Sequence, residues 1–150
     1  MRENAGRLLF SGIFFYEVLE HSFRNIITGY YAVSEWSDSL VVKCNADAYG
    51  DFHTTQPGGS PGKDIVMGSK APAKKCNKLT KYIARYAKVN KRIYKYAGQQ
   101  YPGALADNVN KKGIPAVICE VLLPHNTVTA KTVKTSYNMM IALLKFNSIV

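Results

Sequence analysis

An almost continuous apolar run, from Ile114 to Leu123, constrains the fold of this chain more than any other feature. A run of this length without alternation is typical of a strand that is buried on both faces of a parallel sheet. One carboxylate, Glu120, interrupts the run near its C-terminal end. Because an ionised carboxylate is costly to bury alone, Glu120 should either pair with a lysine or have a role in function. Ligands of open α/β sheets bind at the carboxyl ends of strands, which favours a functional role.

The remaining segments alternate between strand-like and helix-like patterns. Short strands are expected over residues 40–42, 48–53, 64–67 and 92–96. Helices are expected over residues 8–27, from Pro72 past Tyr86, over residues 102–109 and from Thr129 onward. This alternation predicts an α/β fold of three layers, in which helices flank a mixed, mostly parallel sheet.

Apolar residues at helical spacing identify the faces of two helices that should be buried. On the helix that follows Pro72, these residues are Cys76, Leu79, Ile83 and Tyr86. On the last helix, they are Val133, Tyr137, Met140, Ile141 and Leu144.

The chain has 150 residues, enough for one domain with a real core, and a formal net charge of +10. Its lysines lie on segments that also carry apolar stripes, so we expect them to form the solvated faces of amphipathic helices. No specific nucleic-acid partner is therefore expected, and any binding of DNA or RNA should disappear at physiological salt.

The three cysteines, Cys44, Cys76 and Cys119, are odd in number and lack the CxxC spacing of zinc sites and redox motifs. A reducing environment fits this usage, and we expect a cytoplasmic location. No apolar run approaches the roughly 20 residues that a membrane span requires, so no membrane partner is expected.

His53 ends a predicted strand and precedes a loop rich in glycine and proline, residues 56–62. An imidazole at the end of a strand is a common metal ligand, and Asp51 or a backbone carbonyl is positioned to orient its second nitrogen. A structural or surface role is the alternative for a single histidine. His53 is therefore a candidate metal ligand.

Two segments together resemble the zinc carboxypeptidases, and especially the succinylglutamate desuccinylase/aspartoacylase branch of that superfamily. The first is Asp51-Phe52-His53-Thr54-Thr55 followed by Pro57-Gly58-Gly59, which is similar to the family's D-[LF]-H-[TS] segment. The second combines Gly103 to Asp107, Gly113 to Val117 and Cys119-Glu120-Val121, which looks like the family's G-S-x-x-D … G-I-P-x-x-T-x-E stretch. The matches occur in the family's order and cover about residues 46–146.

The resemblance implies a fold and a set of roles. His53 would be a zinc ligand, and Glu120 would be the catalytic base and acid that transfers a proton from water to the leaving nitrogen of an amide. Tyr101 or Tyr96 would close over the substrate, which the resemblance implies is a small peptide or an N-acyl amino acid. The implied fold is that of the zinc carboxypeptidases.

The chain departs from the family pattern upstream of these segments. The family takes two further zinc ligands from an H-x-x-E motif, and residues 1–45 contain none. We therefore expect residues 1–45 to form an N-terminal helical segment and residues 46–150 to be the C-terminal part of a zinc-carboxypeptidase-like domain that is truncated at its N-terminus. A catalytic zinc needs at least three protein ligands, so this chain is expected to be an inactive fragment or degenerate member unless other residues supply them.

Two alternatives remain open at the level of sequence. In the first alternative, the chain is a basic, non-catalytic module whose lysine-rich helix between Lys74 and Lys88 contacts nucleic acid or a protein. In the second alternative, the chain is a structural subunit in which a protein partner, or a missing N-terminal part, completes the edge of the sheet. The second alternative is compatible with the hydrolase interpretation.

Overall fold

The structure is a computed structural model that describes residues 8–10, 41, 43, 46–99 and 104–149. Within these residues, the chain forms five strands and three helices, and Val41 and Lys43 are also helical. The strands are β1 (Leu8–Phe10), β2 (Ala48–Thr55), β3 (Ile65–Ala71), β4 (Asn90–Tyr96) and β5 (Ala116–Leu122). The helices are α1 (Cys76–Ala87), α2 (Leu105–Lys111) and α3 (Ala130–Phe146), and a 3-10 turn, Pro124–Asn126, joins β5 to α3.

The five strands form one mixed sheet in the order β1-β2-β5-β3-β4. Strands β1, β2 and β5 are parallel to one another. Strands β3 and β4 are also parallel to each other, but β3 is antiparallel to β5. The apolar strand β5 therefore lies in the centre of the sheet, as its sequence predicts. The predicted α/β architecture with a mixed, mostly parallel sheet is confirmed.

Helices cover both faces of the sheet, which makes three layers. Helices α1 and α3 pack on one face, called here the two-helix face, where the core includes Val66, Leu79, Val117 and Leu143. Helix α2 packs on the opposite face, called here the α2 face, where the core includes Tyr49, Ile65, Met67, Val109 and Ile118. Because side chains alternate along a strand, each strand residue belongs to one of these two faces.

Two glycines allow the helices of the two-helix face to approach the sheet closely. A Cβ atom added at Gly50 would lie 2.6 Å from Cδ2 of Leu143 on α3. A Cβ atom added at Gly68 would lie 2.9 Å from Sγ of Cys76 on α1 and would also collide with Thr80. Glycine is needed at both positions for space rather than for an unusual backbone conformation.

The N-terminal region differs from its predicted structure wherever it is described. Residues Leu8–Phe10 form β1 rather than a helix, because they pair with Ala48–Gly50 at the edge of the sheet. Val41 is helical rather than extended, and its buried side chain packs on the α2 face. A short apolar run does not distinguish a buried strand from a buried helix, which explains the second difference. The rest of the predicted segment 8–27 lies outside the described residues.

The limits and buried faces of two helices also differ from prediction. Helix α1 begins at Cys76 rather than near Pro72, and Tyr86 is 39% exposed while Ala87 is buried. The predicted buried stripe of α3 is wrong, since its buried residues are Thr132, Met139, Ala142 and Leu143. Val133 and Tyr137, both expected in the core, are 57% and 55% exposed. Helix α3 has apolar residues on two sides, and only one side contacts the sheet.

Candidate active site

The candidate residues His53 and Glu120 lie next to each other on the two central parallel strands. Strand register pairs His53 on β2 with Glu120 on β5, and neighbouring strands are about 4.8 Å apart. Both side chains are on the α2 face, in line with Tyr49 and Ile118 respectively. The two residues therefore share one face of the sheet, near the carboxyl ends of neighbouring strands.

Asp51 completes this group, because it lies two positions before His53 and so shares its face of β2. Nε2 of His53 donates a hydrogen bond to Oδ1 of Asp51 over 2.9 Å. The Asp51 side chain is 7% exposed, whereas that of His53 is 49% exposed. A buried carboxylate therefore holds an imidazole whose other nitrogen, Nδ1, is on the opposite side of the ring.

The charge of Asp51 also changes the acid–base behaviour of the imidazole. Its hydrogen bond is the largest influence that raises the pKa of His53 above 6.5, and its negative charge and that of Glu120 act in the same direction. Partial burial opposes them, with a smaller effect than the hydrogen bond. The protonated imidazole is thus stabilised by carboxylates on two sides.

Glu120 lies between a polar and an apolar neighbour. On one side it pairs with His53, and on the other it pairs with Ile65, which is 2% exposed. Its Oε2 atom is buried and accepts no hydrogen bond from the described residues. Burial raises the pKa of the Glu120 carboxyl, the charge of His53 lowers it, and the charge of Asp51 raises it again. The burial effect is the largest, so the carboxyl holds its proton to a higher pH than an exposed glutamate does.

The loop between β2 and β3 crosses the end of the sheet at which Asp51, His53 and Glu120 lie. Since β5 separates β2 from β3, residues 56–64 must cross the carboxyl end of β5. Asp64, at the end of this loop, accepts a hydrogen bond from the backbone N–H of Leu122 over 2.7 Å. At its beginning, the hydroxyl oxygen of Thr55 accepts one from the backbone N–H of Gly62 over 3.2 Å. The sequence analysis does not predict this role for Asp64, although an acidic residue next to a glycine-rich loop is a frequent turn element.

The two predicted substrate tyrosines are not brought to this group. Tyr96 ends β4, and β4 runs antiparallel to β5, so Tyr96 lies at the opposite end of the sheet from Glu120. The offset along the strands is six residues, or about 20 Å, because Asn90 is level with Ile65 and Glu120. Tyr96 is therefore too far from Glu120 to contact a substrate that is bound there. Tyr101 lies outside the described residues.

Other polar residues near the group have a structural explanation. Cys119 is next to Glu120 but points to the two-helix face, where it is buried, and burial raises the pKa of its thiol strongly. His125 is exposed and lies in the 3-10 turn beyond the same end of β5. Cys119 therefore stays a protonated thiol, which is not a nucleophile. His125 is used below as a reference histidine.

The described residues do not bring a complete set of metal ligands together. No three His, Cys, Asp or Glu side chains converge to hold a metal ion in residues 46–99 and 104–149 or at the few described positions before them. His53 fits a ligand role, since metal-bound histidines commonly donate their other nitrogen to a carboxylate, as His53 does to Asp51. Glu17, His21 and Cys44 also carry side chains that can bind zinc, and they lie outside the described residues.

Searches of protein-family models, curated proteins and solved structures gave no match to this chain. The assignment of a function therefore depends on the geometry of Asp51, His53 and Glu120 together with the motifs in the sequence.

Proposed function

We propose that the chain carries the amide-hydrolase half-site of a zinc-carboxypeptidase-like domain, with His53 as a zinc ligand and Glu120 as the catalytic acid and base. The observation that supports this most is the register pair of His53 and Glu120 on parallel strands, with Asp51 bonded to the imidazole. The substrate class is a small peptide or an N-acyl amino acid. Residues 1–45 contain no H-x-x-E motif that would supply the two further zinc ligands.

Each side chain has a definite task in this proposal. Asp51 fixes the ring of His53 and accepts a hydrogen bond from its Nε2, so that Nδ1 is the nitrogen that would hold the metal. Zinc, when bound, lowers the pKa of water toward 7 and polarises a carbonyl group. Glu120 accepts a proton from the attacking water and returns it to the leaving amide nitrogen. Cleavage then yields a carboxylic acid and an amine.

The surroundings of Glu120 suit this work. A base that operates near neutral pH is most effective when its pKa is close to that pH, and burial against Ile65 shifts the Glu120 pKa in that direction. The charge of Asp51 raises the pKa of Glu120 in the same direction as burial. The half-exposed imidazole gives solvent and substrate access to the pair.

The test combines metal binding with turnover. Zinc is titrated into the 150-residue chain while the imidazole resonances of His53 and His125 are followed by NMR. Hydrolysis of N-acyl amino acids and short peptides is then measured with zinc in excess. Three variants are compared with the parent chain: His53→Ala, Glu120→Gln and, as a matched control on the same end of the sheet, His125→Ala.

We expect zinc to shift the resonances of His53, and His125→Ala to leave both that response and turnover unchanged. With only one zinc ligand identified, little turnover is expected, and Glu120→Gln should keep the response of His53 and reduce whatever turnover the parent chain shows by about 100-fold or more. Zinc that leaves the His53 resonances unchanged would refute the ligand role. Turnover that survives Glu120→Gln would refute the acid–base role.

A further inference from the structure

The outer surface of the two-helix face carries a straight row of cations. Lys74, Lys78, Lys81, Arg85 and Lys88 follow one another at spacings of four, three, four and three residues, and all five are exposed. This spacing places them on one side of α1 and its flanking turns, opposite the buried residues of the helix. The row spans 14 residues, or about 21 Å at helical rise.

No acidic side chain accompanies these cations on the same elements. The sequence contains neither Asp nor Glu between Asp64 and Asp107, or after Glu120. Helices α1 and α3, which form this layer among the described residues, therefore carry Lys and Arg with no acidic residue of their own. An ordinary solvated helix mixes both signs of charge, so this layer is a one-sign surface that attracts anions.

Exposed apolar side chains lie on the same layer. Val133 and Tyr137 are 57% and 55% exposed on α3, and Val128, just before that helix, is 67% exposed. They do not stabilise the core, because α3 contacts the sheet through Thr132, Met139, Ala142 and Leu143. Lys131, Lys134 and Lys145 of the same helix are exposed beside them.

The groove between the two helices is filled by aromatic rings with cations over them. Tyr82 and Tyr86 stack with ring centroids 6.4 Å apart, and Phe146 of α3 packs 5.5 Å from Tyr82. Nζ of Lys145 lies 5.4 Å from the centre of the Tyr86 ring. The two helices therefore form one continuous surface of cations and amphipathic rings rather than two separate charged ridges.

We propose that the two-helix face docks this domain on an anionic lipid bilayer, as a peripheral and reversible contact. The lysine rows supply attraction to acidic headgroups, and Val128, Val133 and Tyr137 enter the interfacial region. Single-stranded nucleic acid would account for the cations and the tyrosines, but it gives no reason for exposed valines. Among the described residues, no helix is long and apolar enough to cross a membrane.

This docking is compatible with the proposed active site, although it does not depend on it. Asp51, His53 and Glu120 lie on the α2 face, on the other side of the sheet from α1 and α3. A domain that rests on its two-helix face therefore presents His53 and Glu120 to the solution. Substrates would reach the site without passing through the bilayer.

The proposal is tested by co-sedimentation of the full 150-residue chain with vesicles. Vesicles of neutral phosphatidylcholine are compared with vesicles that contain about one-third phosphatidylglycerol, at low and at physiological salt. The charge variant is Lys78→Glu with Lys81→Glu. Its matched control is Lys111→Glu with Lys112→Glu, on the opposite side of the sheet, with the same change in net charge. The apolar variant is Val133→Ser with Tyr137→Ser.

The parent chain should sediment with anionic but not with neutral vesicles. Lys78→Glu with Lys81→Glu should weaken partition about tenfold or more, whereas the control should change it less than about threefold. Val133→Ser with Tyr137→Ser should weaken partition most clearly at physiological salt, where screening leaves the apolar contribution dominant. Circular dichroism confirms that each variant is folded.

Three results would overturn the proposal. One is an absence of binding to anionic vesicles at low salt. Another is an equal loss in the control variant, which would show that only net charge matters. The third is tighter binding of a single-stranded oligonucleotide than of vesicles, unaffected by Val133→Ser with Tyr137→Ser, which would assign the surface to nucleic acid.

Discussion

Nε2 of His53 lies 2.9 Å from Oδ1 of Asp51, two positions earlier on the same strand. The spacing is what makes the contact possible, since residues at i and i+2 of a strand project from the same face. Asp51 is buried and His53 is half exposed, so the carboxylate is held inside the fold and the imidazole is accessible to solvent. A D-x-H sequence at the end of a parallel strand is thus enough to build an oriented histidine.

Replacing Asp51 with Asn should lower the pKa of His53, because the hydrogen bond to the Asp51 carboxylate is the main influence that raises it. The measurement is an NMR titration of the imidazole resonances, with His125 in the same spectra as the reference. A raised folded-state pKa means that the pair stabilises the fold below the unfolded value of 6.5 and that this contribution is lost as pH rises through the folded pKa. The stability difference between parent and Asp51→Asn should therefore be larger below pH 6.5 than above the folded-state pKa of His53. An unchanged His53 titration would contradict the assigned cause.

Glu120→Gln should stabilise the fold at neutral pH while it removes the proposed catalytic group. Burial raises the pKa of Glu120 above 4.5, so the folded state favours the protonated carboxyl and is penalised as pH rises through the folded pKa. The neutral amide avoids that penalty, and we expect a gain on the order of 1 kcal/mol at pH 7, since the group keeps some solvent contact. Urea unfolding at pH 7 and near pH 4 measures it, and the gain should vanish at the lower pH. A variant that is less stable than the parent at both pH values would show that burial does not dominate.

The central part of the fold follows from the sequence, and its edges do not. The apolar run predicts β5, and the helical spacing of Cys76, Leu79 and Ile83 predicts α1. Both patterns are long enough that packing against the rest of the fold does not change the secondary structure. Leu8–Phe10 and Val41 were assigned wrongly because short apolar segments take the structure that their pairing partners provide. Val133 and Tyr137 of α3 are exposed although their spacing predicts burial, and the reason is different. Amphipathic periodicity shows that a helix face is apolar but not what covers it.

The candidate site was predicted as a pair of residues but not as a complete set. His53 and Glu120 follow from local context, because each is a polar residue near the end of a strand. Their register pairing depends on the strand order, which places β5 beside β2 although Ile65–Ala71 and Asn90–Tyr96 intervene in the sequence. The reversed direction of β4 removed Tyr96 from the site for the same reason. Local patterns do not encode strand direction within a mixed sheet.

Gly68→Ala should destabilise the fold because the added methyl group would meet Cys76 Sγ at 2.9 Å and collide with Thr80. Overpacking of this kind costs about 1–3 kcal/mol. Thr80→Ala removes the closest atom, so the loss should be smaller by about 1 kcal/mol in that background. Thr135→Ala is the matched control, because Thr135 makes the same hydroxyl bond to the carbonyl four residues earlier but lies on α3. Denaturant unfolding of the double-mutant cycle should show coupling for Thr80 and additivity for Thr135, and the reverse would contradict this account of the β3–α1 contact.

Zinc should bind the 150-residue chain through His53 with an affinity weaker than about micromolar. The reason is the number of ligands: a catalytic zinc needs three protein donors, and residues 1–45 contain no H-x-x-E motif that would add two donors to His53. Asp51→Asn should weaken binding further, by about 10-fold, because the oriented imidazole loses its carboxylate partner. Isothermal titration with zinc across the parent chain, His53→Ala and Asp51→Asn measures each step, and His125→Ala controls for adventitious binding to an exposed imidazole. Stoichiometric binding tighter than micromolar that His53→Ala abolishes would mean that residues outside the described ranges complete the site within this chain. Glu17→Ala, His21→Ala and Cys44→Ala, tested one at a time, would then identify which of them supplies the missing donors.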